Sequence, residues 1–330
     1  MKVSIHTLEN SFLRSLVVVF FLPLVAGQCP TDLDIAPCTC LENEMTCDSI
    51  TAPQDLQNAL QEVKQLDLKK FFLTNSNIPA LPSSLFNYSD FQHIIVEKTD
   101  LPFLTSPVSG ISPFMGIIGI ITQVELREVK SLNSWDWTLF SPLKTLRTLI
   151  ISECSFVFIP NTFSDLTKTN IQELTIKNSD VWWIGDSALS TLNQLHTLNL
   201  SGNKIKTILR SMFPSSIKQL HLMGNELKSL PEDIFKGMNK LILLDLTYNK
   251  LETLSLSLFP EFAQNVSPLE VKVEGNPWVC NCSIVWLSNT DYVDVYDIDT
   301  TTCASPDSLV NKILNDVDWA SLGCQVLTTS

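Results

Sequence analysis

Nine cysteines and four histidines are the residues of this 330-residue chain best suited to covalent, metal or acid–base chemistry. Eight of the cysteines form two clusters, Cys29, Cys38, Cys40 and Cys47, then Cys280, Cys282, Cys303 and Cys324, with Cys154 alone between them. Four-cysteine zinc sites use paired C-x2-C knuckles; the close pairs here are C-x-C, and clusters at the two ends of an exported chain read as disulfide modules. A general base or metal ligand would have to come from His93, His196 or His221, because His6 lies in the leader described below. No G-x-S-x-G, phosphate loop or dinucleotide fingerprint is present, and no pair of carboxylates has a spacing that demands acid–base work. The expectation is a chain with no catalytic residues, no metal and no cofactor. Modification chemistry is written more plainly, as N-x-S sequons at Asn87, Asn199, Asn265 and Asn281.

Several segments must position these residues. Lys2 and Arg14 precede an apolar run of ten, Leu16 to Val25, and Val25-Ala26-Gly27 supplies the small residues of a cleavage site before Gln28. Ten residues are about half of the ~20 needed to cross a bilayer, so residues 1–27 read as a signal peptide. No later stretch is apolar enough to span, and the polar tail is unlike a lipid-anchor signal. The expected product is secreted, extracellular and without a membrane anchor. The formal charge is −13, and losing Lys2, Arg14 and Glu9 with the leader takes it to −14. Such a chain repels nucleic acid and anionic membranes.

Self-similarity organises the middle. The pattern L-x-x-L-x-L-x-x-N-x-L is clean from Leu195, Ile217 and Leu241, looser from Val63, Phe91, Ile121, Leu146 and Ile171, and shortened around Val271, Val273 and Asn276. These nine units are leucine-rich repeats. Each L-x-L is a short strand whose leucines point into the coil while alternate residues line an open concave face, and only stacking neighbours buries the apolar side. The ninth position turns inward to satisfy backbone groups; its occupants read as Phe71, Thr99, Val129, Cys154, Ser179, Asn203, Asn225, Asn249 and Asn276. Cys154 is therefore expected as a buried, inert thiol. Val129 cannot hydrogen-bond there, so the third unit should be less regular. Phe140, Phe163, Phe213, Phe235 and Phe259 should form a convex core row. The fold class is an α/β leucine-rich-repeat solenoid with a curved parallel sheet, divided into signal peptide (1–27), N-terminal cap (28–62), repeats (63–275) and C-terminal cap (276–330).

The run from Asn276-Pro-Trp-Val-Cys to Trp286-Leu287, with Cys303 and Cys324, resembles the C-terminal cap of extracellular leucine-rich-repeat proteins. That resemblance implies Trp278 and Trp286 packed on the last repeat and pairs Cys280–Cys303 and Cys282–Cys324. The sequence has Asn281 where the motif usually has Asp. The N-terminal C-x8-C-x-C-x6-C cluster resembles the matching cap, which implies Cys29–Cys40 and Cys38–Cys47. The opening Cys29-Pro-Thr-Asp-Leu-Asp-Ile-Ala-Pro-Cys-Thr-Cys40, followed by Met45-Thr-Cys47, is similar over the mature length to the arthropod family of non-catalytic subunits of oplophorus luciferin 2-monooxygenase. That likeness implies a protein without activity of its own that associates with and supports a small secreted catalytic chain.

The concave face is the place for such a contact. Nine strands ~4.8 Å apart span about 40 Å, enough for a standard interface of ~800 Å² per partner. Its central outward positions read as Asp67, Ile95, Glu125, Ile150, Thr175, Asn199, His221, Asp245 and Lys272. His196 and His221 are offset by about three residues, ~10 Å along a strand, too far to share a metal. Candidate partner-binding residues are His221, Met223, Asp245 and Tyr248, with Ile242 and Leu243 nearby, and Trp182 and Trp183 after the fifth strand. The insertion-like, Pro- and Gly-interrupted stretch from Leu101 to Gly119 is either an ordered loop or a second patch. A glycan at Asn199 would block the middle of the sheet. The expected function is that of a secreted, non-catalytic glycoprotein that binds and scaffolds a protein partner; the alternative is an extracellular pattern-recognition or matrix-binding protein.

Overall fold

The computed structural model describes residues 34–259, 262, 268–288 and 293–325. The leader, Cys29 and the sequon at Asn265 lie outside them. Among the described residues one sheet of twelve strands runs the length of the molecule. In chain order these are β1 (Cys38–Leu41), β2 (Glu44–Asp48), β3 (Lys70–Thr74), β4 (His93–Glu97), β5 (Gln123–Arg127), β6 (Thr148–Ser152), β7 (Glu173–Lys177), β8 (Thr197–Asn199), β9 (Gln219–His221), β10 (Leu243–Asp245), β11 (Leu269–Lys272) and β12 (Val293–Val295). Strand β1 runs antiparallel to β2, and every later neighbour pair is parallel.

The register follows from alternation. Met45, Phe71, Ile94, Val124, Leu149, Leu174, Leu198, Leu220, Leu244, Val271 and Val295 form one continuous row of Cα partners, all buried. Each such side chain contributes roughly 1.5–3 kcal/mol by leaving water, but only because the next unit covers it. On the convex side Phe86, Phe114, Phe140, Phe163, Phe213, Phe235 and Phe259 are buried, with Phe86 and Phe114 stacked 5.9 Å apart and Phe235 and Phe259 5.3 Å apart. The convex returns are short 3-10 turns such as Trp137–Phe140 and Asn161–Lys168. Helix α1 (Pro53–Glu62) packs Leu56, Ala59 and Leu60 inward, one stripe at i, i+3 and i+4 spacing, and Pro53 stands in its first turn where a missing N–H costs nothing.

Two expectations change here. The first unit starts at Leu68 rather than Val63. Phe71 is not a ladder residue but the fourth-position core residue, paired with Ile94, and Phe72 rather than Asp67 occupies the central outward position, paired with Ile95. Ser76 fills the ladder slot, accepting from Ile50 N at 2.9 Å. The hydrophobic spacing from Val63 imitates the repeat because Val63 ends α1 and is buried for a different reason. The third unit is also regular: β5 keeps a five-residue register with both neighbours, and Val129 is buried. An apolar side chain fills the slot, and beside it Lys130 N still donates to Thr99 O at 3.1 Å.

Cys154 is a buried free thiol in the ladder, as expected. Its Sγ accepts from Val129 N at 3.4 Å and donates to Ser152 O at 3.2 Å, and burial pushes its pKa up to about 11. Disulfides join Cys38–Cys47, Cys280–Cys303 and Cys282–Cys324; Cys40 is also disulfide-bonded, and Cys29, its expected partner, lies outside the described residues. Trp278 and Trp286 pack on the last units, their indole N–H groups donating to Val273 O (3.1 Å) and Leu254 O (2.7 Å). The Asp297 carboxylate accepts from Val273 N and Glu274 N at 2.7–3.0 Å, finishing at the cap the backbone pairing that a tenth unit would have supplied.

Candidate functional site

Strand pairing arranges the outward residues in rows across the concave face. The central row runs Phe72, Ile95, Glu125, Ile150, Thr175, Asn199, His221, Asp245 and Lys272, and Tyr296, one residue past the end of β12, lies beside Lys272. Ile95 and Glu125 are buried despite facing outward. Glu125 accepts from Gln123 Nε2 at 2.5 Å and is paired with Arg127, which also reaches Glu97 at 3.8 Å. Over β3 to β7 the outward positions carry three cations (Lys70, Arg127, Lys177) and three anions (Glu97, Glu125, Glu173). That half is balanced.

The later half is neither balanced nor closed. Outward positions of β10 to β12 and their continuations hold Asp245, Glu270, Glu274 and Asp294 against the single ammonium of Lys272. Lys272 Nζ lies 3.6 Å from Glu270 and 5.2 Å from the centre of the Tyr296 ring. Met223, Ile242, Tyr248 and Tyr296 are large exposed hydrophobics. His221 and Asp245 are direct strand neighbours. Burial holds the His221 imidazole below its ordinary pKa, against the opposing pull of Asp245. Asp245 Oδ1 accepts from Thr247 N (3.1 Å) and Thr247 Oγ1 (2.7 Å), so its carboxylate shapes the turn after β10.

The sequence-predicted candidates thus fall in two places. His221, Met223, Asp245 and Tyr248 share the later concave face. Trp182 and Trp183, 59% and 40% exposed, stand on the descending flank, where Trp183 pairs with Phe158 in a two-stranded sheet and Ile184 points into the core. Tyr296 escaped sequence reasoning because it lies in the cap; the Val-x-Val step at 293–295 was the available signal. The stretch from Leu101 to Gly119 is ordered, with Phe114 and Ile117 in the core, and with Phe103 and Pro107 it walls a groove of about 540 Å³ against Pro53 and Gln57 of α1. Asn87 and Asn281 are exposed, and Asn281 Oδ1 accepts from Ser283 Oγ at 2.6 Å. Asn199 is half-buried in the middle of the concave face, its Oδ1 accepting from Ser201 N at 3.0 Å. Among the described residues no group of three His, Cys, Asp or Glu side chains is placed to hold a metal, and no helix is long and apolar enough to cross a membrane.

Comparison with known proteins agrees with this architecture. Family models described as leucine-rich repeat match residues 194–215 and 215–264. Human trophoblast glycoprotein is 34% identical over 65 residues, 18% of this chain, and the protein of that name from Macaca fascicularis matches to the same extent. The match takes in 15% of the length of these relatives. The solved structure of human 5T4 (Wnt-activated inhibitory factor 1, trophoblast glycoprotein) superposes with a TM-score of 0.59 at 19% identity, covering 89% of this chain and 99% of that one. A chain of the octameric complex of Latrophilin 3, Unc5D and FLRT2 superposes with a TM-score of 0.59 at 15% identity, covering 90% of this chain and all of that one. The fold is that of leucine-rich-repeat proteins, with disulfides near both ends.

Proposed function

We propose that this leucine-rich-repeat chain is an extracellular, non-catalytic binding protein that holds a protein partner on the later half of its concave sheet. The observation that carries the reading is the contrast within that sheet. Strands β3 to β7 present as many cations as anions, whereas β9 to β12 present exposed Met223, Tyr248 and Tyr296 among carboxylates that outnumber the one ammonium, Lys272. Exposed aromatic and Met side chains on a concave surface are what interfaces enrich and free surfaces avoid. The leader-like opening and the disulfides support an extracellular location. The FLRT2 complex supports the mode of action, because that structure is an assembly of proteins. A glycan on Asn199 would separate the two halves and direct a partner to β9–β12.

A narrower form of the reading is that the partner is a small secreted catalytic chain of the luciferase kind, supported by the likeness of the opening from Cys29 to Cys47. The test is chemical cross-linking of the full chain in its native extracellular fluid, followed by mass spectrometry. The expected result is one stoichiometric protein partner cross-linked to Lys218, Lys250 or Lys272. A chain that stays alone, or cross-links confined to the flank around Trp182 and Trp183, overturns the reading. Oxygenase or light-emitting activity that co-purifies with the cross-linked partner establishes the narrower form. Binding of glycan or matrix ligands on an array, without any protein partner, points instead to pattern recognition.

A further inference from the structure

The residue just before the ladder slot is left-handed in all nine units: Asn75, Lys98, Glu128, Glu153, Asn178, Gly202, Gly224, Tyr248 and Gly275 have φ between 47° and 73°. Glycine suits this conformation and bulky side chains do not. In the last four units glycine occupies it three times, and Tyr248 is the exception, standing between Gly224 and Gly275. The turn of every repeat imposes this conformation, so what sets the eighth unit apart is the bulky aromatic ring it carries there. The Tyr248 ring lies over the bare backbone of Gly275, where an added Cβ would meet its ring carbons at 2.5–3.0 Å. The ring is nevertheless 56% exposed. Its hydroxyl is 3.5 Å from Glu274 Oε1, too long to saturate that carboxylate.

The surroundings specify a cation. Asp245, Glu270, Glu274 and Asp294 outnumber Lys272, and Lys272 is already engaged by Glu270 and by the Tyr296 ring, which itself is 71% exposed. A tyrosine face beside an underused carboxylate matches a guanidinium, which is planar, stacks on aromatic rings and forks onto a carboxylate; an ammonium is more strongly hydrated and does neither as well. We propose that this end of the concave sheet docks a basic surface of a protein partner, with an arginine side chain stacked on Tyr248 and paired to Glu274. The proposal rests on the protein-binding reading above and names the chemistry of that partner.

The test uses the full secreted chain and two fluorescein-labelled peptides, one of alternating glycine and arginine and its twin of glycine and lysine, titrated by fluorescence anisotropy at 50 and 200 mM salt. The arginine peptide should bind at least about fivefold more tightly than the lysine peptide, with affinity falling as salt rises. Tyr248→Gly, which copies the neighbouring units and relieves the backbone, should fold normally and abolish the preference. Glu274→Gln should also abolish it, whereas Tyr248→Phe and the charge control Glu173→Gln should keep it. Equal affinity for the two peptides, or a preference that survives Tyr248→Gly, overturns the arginine assignment. That failure, with a native partner still cross-linked to β9–β12, leaves the binding role standing. Arginine selectivity at Tyr248 with no native partner found upholds the assignment and sinks the role.

Discussion

The first five and last four units solve one problem with different side chains. In units one to five the ladder slot holds Ser76, Thr99, Val129, Cys154 and Ser179. The hydroxyls and the thiol donate to the carbonyl two residues back and accept one N–H from the preceding unit, as Ser179 Oγ does with Lys177 O (2.8 Å) and Cys154 N (3.2 Å). In units six to nine Asn203, Asn225, Asn249 and Asn276 do more. Asn225 Nδ2 donates to Leu200 O and Leu222 O at 2.9 Å and leans on Met223 O at 3.4 Å, while Oδ1 accepts from Ile205 N at 3.1 Å. The strands differ in step: five residues each from β3 to β7, three or four from β8 to β11. The later units fasten strand ends through amides, and the earlier ones through longer backbone pairing. The face with shorter strands is also the one with exposed aromatics and unmatched acid.

Breaking an amide should therefore cost more than breaking a hydroxyl. Asn225→Ala leaves the buried Ile205 N–H without a partner and takes one of two side-chain donors from each of Leu200 O and Leu222 O, which should cost on the order of 3 kcal/mol, against about 1 kcal/mol for Ser179→Ala. Urea midpoints at unchanged slope measure both, and equal losses would erase the distinction. Next in size is the left-handed row. Gly202→Ala, at φ 68° and directed into Asn178 Oδ1, should cost roughly 1–2 kcal/mol, whereas Glu153→Gly, at φ 57°, should gain a few tenths to about 1 kcal/mol. A gain in the earlier half without a matching loss at Gly202 would mean that the row's strain is not shared.

Cys154 offers a sharper, smaller contrast. With its pKa near 11 and its thiol buried, alkylation by iodoacetamide at pH 8 should wait on local opening and accelerate only in urea. Fast labelling in native buffer would remove it from the ladder. The smallest effects are in pH. Hydrogen bonds from Thr74, Asn75 and Ser49 lower the half-buried Asp48 carboxyl from 3.8 to about 2. Its contribution is complete above pH 4 and lost as pH falls from there through about 2. His221 has a folded pKa depressed by burial, so the unfolded chain takes up its proton first and stability falls as pH drops below about 6.5. Hydrogen exchange at pH 7, 5 and 3 should thus loosen β9 and β10 before β2 and β3.

The repeat count, the Phe row and the place of Cys154 were legible in sequence, because each depends on spacing within one unit; the packing of Trp278 and Trp286 was implied by the resemblance of the C-terminal cap. The candidate surface was legible in part. His221, Met223, Asp245 and Tyr248 could be assigned outward positions from the period alone, but Tyr296 could not, since it belongs to no repeat. Burial of the outward Ile95 and Glu125 was equally hidden, because the period assigns a face and not what lies over it.

What the sequence by itself determined is the two-residue alternation and the ~24-residue period, which compel a stacked parallel sheet with apolar residues inside. Tertiary structure alone decided where stacking begins and ends. Helix α1 supplies Val63 to the core and so delays the first unit to Leu68; β2 and β12 join the sheet from within the caps. Only this stacking makes Gly275 the floor beneath Tyr248. The physical reason is that alternation is local to a strand, whereas register is set by backbone groups and side chains a full repeat away, and no window of sequence shows those neighbours side by side.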